Sequence, residues 1–115
     1  MLSTDFLQKT VFAKIERPLG SRHPKHGFLY LLNYGHVPDT LAPDGEELDV
    51  YVVGIFEPVD TFEGFCIAVI QRLDDQDDKL ILAPKGKNYT DEQLLALTEF
   101  QEQFFKPIII RSRPK

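Results

Sequence analysis

Hydrophobic residues in this chain fall into short blocks, at positions 11–15, 28–32, 48–56, 62–73, 80–83 and 108–110. Alternating or continuous apolar runs of this length predict β-strands. The intervening segments 18–27, 35–45, 57–60, 74–79 and 84–88 are rich in Gly, Pro, Asp and Asn, which turn a chain. One segment keeps helical spacing. Thr90 stands where an N-cap belongs, Gln93 follows three residues on, and Leu94, Leu97, Phe100 and Phe104 recur every three or four positions. That stripe is better explained as core than as a cofactor contact. Short strands with one late helix predict a mainly β (α+β) protein: a small closed OB-like antiparallel β-barrel with one C-terminal α-helix packed on it.

The 115 residues suit one such domain over 1–115, and a 43% hydrophobic content lets it bury a core. The net charge of −5 argues against a nucleic-acid partner, since phosphate-backbone affinity comes from clustered Lys and Arg. Anionic partners then require metal ions or one of two local basic groups, 17–26 and 106–115. The single cysteine, Cys66, lies in an apolar run and reads as a buried thiol, with no partner for a disulfide. No basic leader opens the sequence and no apolar run approaches the ~20 residues of a membrane span, so a soluble cytoplasmic protein without a membrane partner is expected.

The candidate chemistry lies in the turns. Asp44-Gly45-Glu46-Glu47-Leu48-Asp49 places four carboxylates around one glycine just before a strand, and Asp74-Asp75-Gln76-Asp77-Asp78-Lys79 places four more between the two most apolar strands. Clustered carboxylates repel unless a cation sits among them, and magnesium takes such hard oxygen ligands. Each turn alone is also explained as a solvated hairpin tip. An EF-hand is excluded for the second, which lacks its glycine and its closing glutamate. A barrel can bring neighbouring turns to one rim, so Asp44, Asp49, Asp74 and Asp77 are candidates to share a cavity. Asp44 and Asp49 differ in strand parity, so the Asp-Gly turn must break the alternation. Metals held there would suit phosphoryl transfer to water. Arg22, Lys25, Lys79 and Lys106 are candidates to hold phosphate oxygens. Surface pairing explains Lys79 equally well, and a helix-end position explains Lys106. Tyr30 and Tyr34 flank Asn33 and offer phenol donors, or simply pack with one polar end outward. His23, His26 and His36 have no metal-ligand spacing.

With these residues in view, the chain resembles the soluble magnesium-dependent inorganic pyrophosphatases of the OB-like barrel type. The resemblance rests on Tyr30, Asn33-Tyr34-Gly35, Thr40, Asp44-Gly45-Glu46 and Asp49-Val50, then on Asp74-Asp75, Asp77-Asp78-Lys79 and the apolar strand to Pro84. Ile15-Glu16-Arg17-Pro18 and Phe104-Phe105-Lys106 are similar to further family segments. It implies hydrolysis of pyrophosphate to two phosphates, with Asp44, Asp49, Asp74 and Asp77 as ligands to magnesium, or manganese in its place, and Glu16 assisting through water. It further implies Glu46 as general base, where the family has aspartate, and Lys79 and Lys106 on phosphate. Arg22 matches either a bend arginine, leaving Lys25 near the phosphate lysine, or the phosphate arginine itself.

Several features depart from the family pattern. The hairpin across 22–27 is shortened, Phe105 replaces a phosphate-binding tyrosine, His36 replaces an aromatic residue, and little follows Lys106. These changes reduce the phosphate-holding half more than the metal half. Two alternatives therefore stand beside pyrophosphate hydrolysis: a hydrolase for another phosphoanhydride or phosphate ester, and a non-catalytic phosphate- or protein-binding module. A homo-oligomer is compatible with each.

Overall fold

The computed structural model describes residues 2–42, 44–75 and 77–112. A 3-10 turn at Ser3–Phe6 precedes β1 (Thr10–Arg17), β2 (Asn33–Val37), β3 (Leu48–Val52), β4 (Thr61–Arg72), β5 (Lys79–Ala83), α1 (Asp91–Glu102) and β6 (Pro107–Ile110). The strands follow the order β1-β2-β3-β5-β4, and β1 pairs back to β4, closing a five-stranded barrel; β6 adds to the free side of β4. Neighbours are antiparallel except β3 and β5, which run parallel, so the closed barrel is mixed. The 12-residue β4 joins the pieces. It pairs with β1, then β5, then β6, and a bulge between Cys66 and Ala68 marks the irregular step.

Strand alternation creates two cores. Val11, Ala13, Val50, Cys66, Val69, Leu80 and Leu82 come from four strands and fill the barrel. Tyr51, Val53, Ile70, Ile81 and Ala83 have the opposite parity and pack under Leu94, Leu97 and Phe100 of α1. The helix begins as its sequence predicts. Thr90 Oγ1 accepts from the Gln93 backbone N–H at 3.1 Å, and Gln93 Oε1 accepts from Thr90 N–H at 2.8 Å. Asp91 and Glu92 in the first turn meet the positive end of the helix dipole. Among the described residues no helix is long and apolar enough to cross a membrane.

Two expectations are corrected. Residues 28–32 form no strand, because their backbone groups bond to the preceding turn: Gly20 N–H donates to Tyr30 O, Tyr30 N–H to Ser21 O and His23 N–H to Phe28 O, each at 2.8 Å. The strand instead starts at Asn33 and runs to Val37, into the 35–45 segment whose Gly and Pro read as a turn, because β1 and β3 flank it on both sides. Gly35 permits that pairing: a Cβ there would lie 1.9 Å from the Lys14 carbonyl oxygen. Gly35→Ala must force β1 and β2 apart and is expected to lower unfolding free energy by at least about 2 kcal/mol, read as a reduced urea midpoint. The helix also stops before Phe104, which is 62% exposed and lies beyond the packed stripe.

Candidate active site

The parallel register of β3 and β5 sets Asp49 directly beside Lys79. Both share the parity of Tyr51 and Ile81, so they leave the barrel on the side that α1 covers. Where the helix ends, a cavity of about 650 Å³ opens, lined by Tyr34, Asp49, Arg72, Asp77, Lys79 and Gln101 and by the rings of His23, His26, Phe28, Phe104 and Phe105.

Lys79 is only 2% exposed, and its Nζ donates to Asp49 Oδ2 and to Asp77 Oδ2, both at 2.6 Å. It also lies 5.5 Å from the centre of the Tyr34 ring. Two carboxylates thus converge on one ammonium. Arg72 follows Ile70 by two positions on β4, which carries it past the start of β5 on the same face. Its Nε and Nη2 grip the Glu102 carboxylate at 2.9 and 2.7 Å, while Nη1 reaches Asp77 at 3.3 Å and Asp75 at 3.5 Å. The Phe105 ring centre is 3.6 Å from the guanidinium carbon.

Glu102 ends α1, where the dipole disfavours an anion. Its two-point pairing with Arg72, and a 2.7 Å hydrogen bond from the Tyr51 hydroxyl, offset that cost. The network continues outward: Gln101 Nε2 donates to Tyr51 at 2.6 Å, Tyr30 donates to Gln101 Oε1 at 2.7 Å, and Arg17 Nη1 donates to Tyr30 at 2.8 Å. The helix end is therefore fixed to the barrel wall that carries the charged groups.

Burial, reinforced by the Asp49 charge, pushes the Tyr34 phenol well above its ordinary pKa, so it stays a neutral hydrogen-bond donor. Burial likewise raises the Cys66 thiol, to about 12, which keeps it protonated and inert. For Arg72, burial acts to lower the pKa, but the hydrogen bonds and charge of Glu102 outweigh it and hold the guanidinium above its usual value. Asp77 is raised mainly by burial, with Asp49 adding to the shift and Lys79 opposing it. The folded protein consequently takes up this proton at higher pH than the unfolded chain does. Stability must then fall as pH rises from the ordinary Asp value through the raised Asp77 value, and the deficit persists above it. In metal-free buffer, Asp77→Asn is expected to remove that slope, so its melting temperature gains on the parent's across this window.

Asp49, Asp77, Lys79 and Tyr34 come together, joined on the lining by His23, His26, Phe104 and Phe105, while the other candidate metal, base and phosphate-holding residues do not line the cavity. Asp44 and Glu46 are exposed on the Gly45 turn, Asp44 Oδ1 accepting from Glu46 N–H at 3.0 Å. The strand begins only at Leu48, which removes the parity conflict between Asp44 and Asp49. Asp74 is exposed and accepts from the Lys106 backbone N–H at 3.0 Å; the Lys106 side chain is exposed too. Glu16 contacts the His36 ring, whose other nitrogen lies 3.4 Å from Glu47. Arg22 donates to the Gly27 carbonyl at 2.9 Å, and Lys25 is exposed. Tyr30 is 1% exposed, its hydroxyl engaged by Arg17 and Gln101. Gln76 of the second acidic turn and residues 113–115 of the terminal basic group lie outside the described residues.

Sequence reasoning placed Phe105 at the site but missed Arg72 and Glu102, and it gave His23, His26, Phe28 and Phe104 no part in it. Arg72 carried a signal, since it continues the Ala68-Ile70 alternation of a buried strand face with a charge. Glu102 lies one position past Gln101 at the helix end and had no comparable mark.

The sequence profile of the inorganic pyrophosphatase family matches residues 9–109. The inorganic pyrophosphatase of Neisseria meningitidis serogroup B is 35% identical over 81 residues, covering 66% of this chain and 45% of that protein. Soluble inorganic pyrophosphatase 2 of Chlamydomonas reinhardtii is 43% identical over 72 residues, covering 55% of this chain and 37% of that protein. Each match thus spans less than half of the relative's length. In three dimensions the crystal structure of inorganic pyrophosphatase from Ehrlichia chaffeensis shares the fold, with a TM-score of 0.67 and 21% identity over 93% of this chain and 88% of that one. Because the profile runs from the start of β1 to β6, through every strand and the helix, the chain belongs to the inorganic pyrophosphatase family.

Proposed function

We propose that the cavity hydrolyses pyrophosphate to two phosphates with magnesium as cofactor. The observation that carries this reading is the convergence of Asp49 and Asp77 on Lys79 at the cavity wall, beside the Tyr34 ring. The donor set fits the ion. Magnesium is commonly held by one or two carboxylates together with waters and substrate phosphates, without a complete protein cage. Asp49 and Asp77 supply two hard carboxylates on one cavity, while among the described residues no three His, Cys, Asp or Glu side chains converge as a preformed cage. Asp49 and Asp77 would hold the ion, which when bound neutralises phosphate charge and makes a coordinated water more acidic.

The chain's own groups divide the remaining tasks. Lys79 presents a buried ammonium and Arg72 the Nη1 edge of its fork to phosphate oxygens; the other edge is already held by Glu102. Tyr34, kept neutral, donates a hydrogen bond to an oxygen of the substrate or of the attacking water. Water attacks one phosphorus, the bridging P–O bond breaks, and the second phosphate departs with the bridging oxygen. The water's proton passes to a carboxylate. Asp49 faces the cavity and is the better placed acceptor than Glu46, which stands on the exposed turn.

The test is phosphate release from pyrophosphate, with tripolyphosphate and a phosphate monoester alongside, in magnesium and in a chelator. Release from pyrophosphate that requires magnesium is the expected result. No metal-dependent release from neutral to alkaline pH would overturn the enzyme reading, and tight binding of phosphate without turnover would favour a binding module.

A further inference from the structure

The charged groups form only part of the cavity lining, and the remainder is aromatic. Phe28 and Phe104 lie 6.0 Å apart at an interplanar angle of 29°, and His23 is 4.9 Å from Phe28. His26 is nearly parallel to Phe28, at 4° and 6.4 Å. Phe104 leaves 62% of its surface exposed beside the cavity, with α1 already ended. Pyrophosphate has no apolar surface to offer these rings. A cavity of about 650 Å³ is also of the size that encloses a ligand with an organic body as well as phosphates.

We propose that the cavity binds a phosphoanhydride carrying a planar heteroaromatic base, a nucleoside di- or triphosphate, with its phosphates on Lys79 and Arg72 and its base against Phe28, Phe104 and the two histidines. This rests on the reading above that Lys79 and Arg72 hold phosphate. Stacking on aromatic faces suits any base, because each has a π-face, so the rings select for a base rather than for a particular one. The lowered pKa of His23 favours its neutral ring. Burial, then the charges of Arg17, His26 and Lys25, lower its pKa.

Calorimetric titration with unreactive diphosphonates tests the proposal apart from turnover. In magnesium buffer, α,β-methylene-ADP is expected to bind at least about tenfold more tightly than methylenediphosphonate. Phe104→Ala and His26→Ala alter exposed side chains, so the fold should survive, and each should bring that ratio down towards one. Equal affinities for the two ligands, or a ratio that neither substitution moves, would overturn the proposal. A high ratio in a protein that leaves pyrophosphate intact would sustain it while removing the hydrolase reading. Pyrophosphate turnover with a ratio of one would do the reverse. If neither diphosphonate binds, both readings fall.

Discussion

Glu102→Ala is expected to destabilise the protein by about 3–5 kcal/mol, a large share of the stability of a domain this size. The reason is the state in which it leaves Arg72. That guanidinium is buried, it makes its two shortest charge contacts to Glu102, and its Nη1 contacts to Asp77 and Asp75 are longer, at 3.3 and 3.5 Å. The Tyr51 hydroxyl would lose its acceptor at the same time. The cost belongs to breaking the pair. Removing both charges, in Arg72→Met with Glu102→Leu, is expected to recover most of it, because two apolar chains can fill the space that a desolvated ion pair occupied. Urea unfolding of the parent, the single variant and the double variant separates these outcomes, provided the slope with denaturant stays constant.

Lys79→Met is expected to lower kcat/KM for pyrophosphate by at least about a hundredfold. The substitution keeps the length of a 2% exposed chain and removes only its charge. Asp49 and Asp77, which now share that ammonium at 2.6 Å each, would face one another without it. One of them would then tend to protonate. A carboxylic acid is a poor proton acceptor and a poor ligand for magnesium. Lys79→Arg should not restore the rate, since a planar fork cannot occupy the single point on which both carboxylates converge. Circular dichroism of each variant establishes that loss of rate is not loss of fold.

The fold was largely legible because most of its elements follow from local pattern. Thr90 and Gln93 mark the helix start, and the apolar runs of β1, β4, β5 and β6 mark strands whatever their partners. β2 was not legible. Its sequence, Asn-Tyr-Gly-His-Val, carries turn residues, and it is a strand only because β1 and β3 bond it from both sides. Asn33 illustrates the same point. It is fully buried with its side chain tied to Leu19, Glu57 and Val59, which no local pattern announces.

The candidate site divides along the same line. Each acidic turn could be seen separately, but the meeting of Asp49 with Lys79 depends on the parallel β3–β5 register, which is set by strands 30 residues apart. The register also decides what stays out. Asp44 and Asp74 belong to turns whose carboxylates satisfy nearby backbone N–H groups, and neither lines the cavity.

The role proposed for the wall bearing Asp49, Asp77 and Lys79 is metal-dependent chemistry on phosphoanhydrides. Its most direct test is phosphate release from pyrophosphate in magnesium by the parent and by Asp49→Asn, a near-isosteric change that removes one converging carboxylate. The expected result is release by the parent that disappears in chelator and falls by at least about a hundredfold in the variant. Undiminished release by a folded Asp49→Asn protein would contradict it.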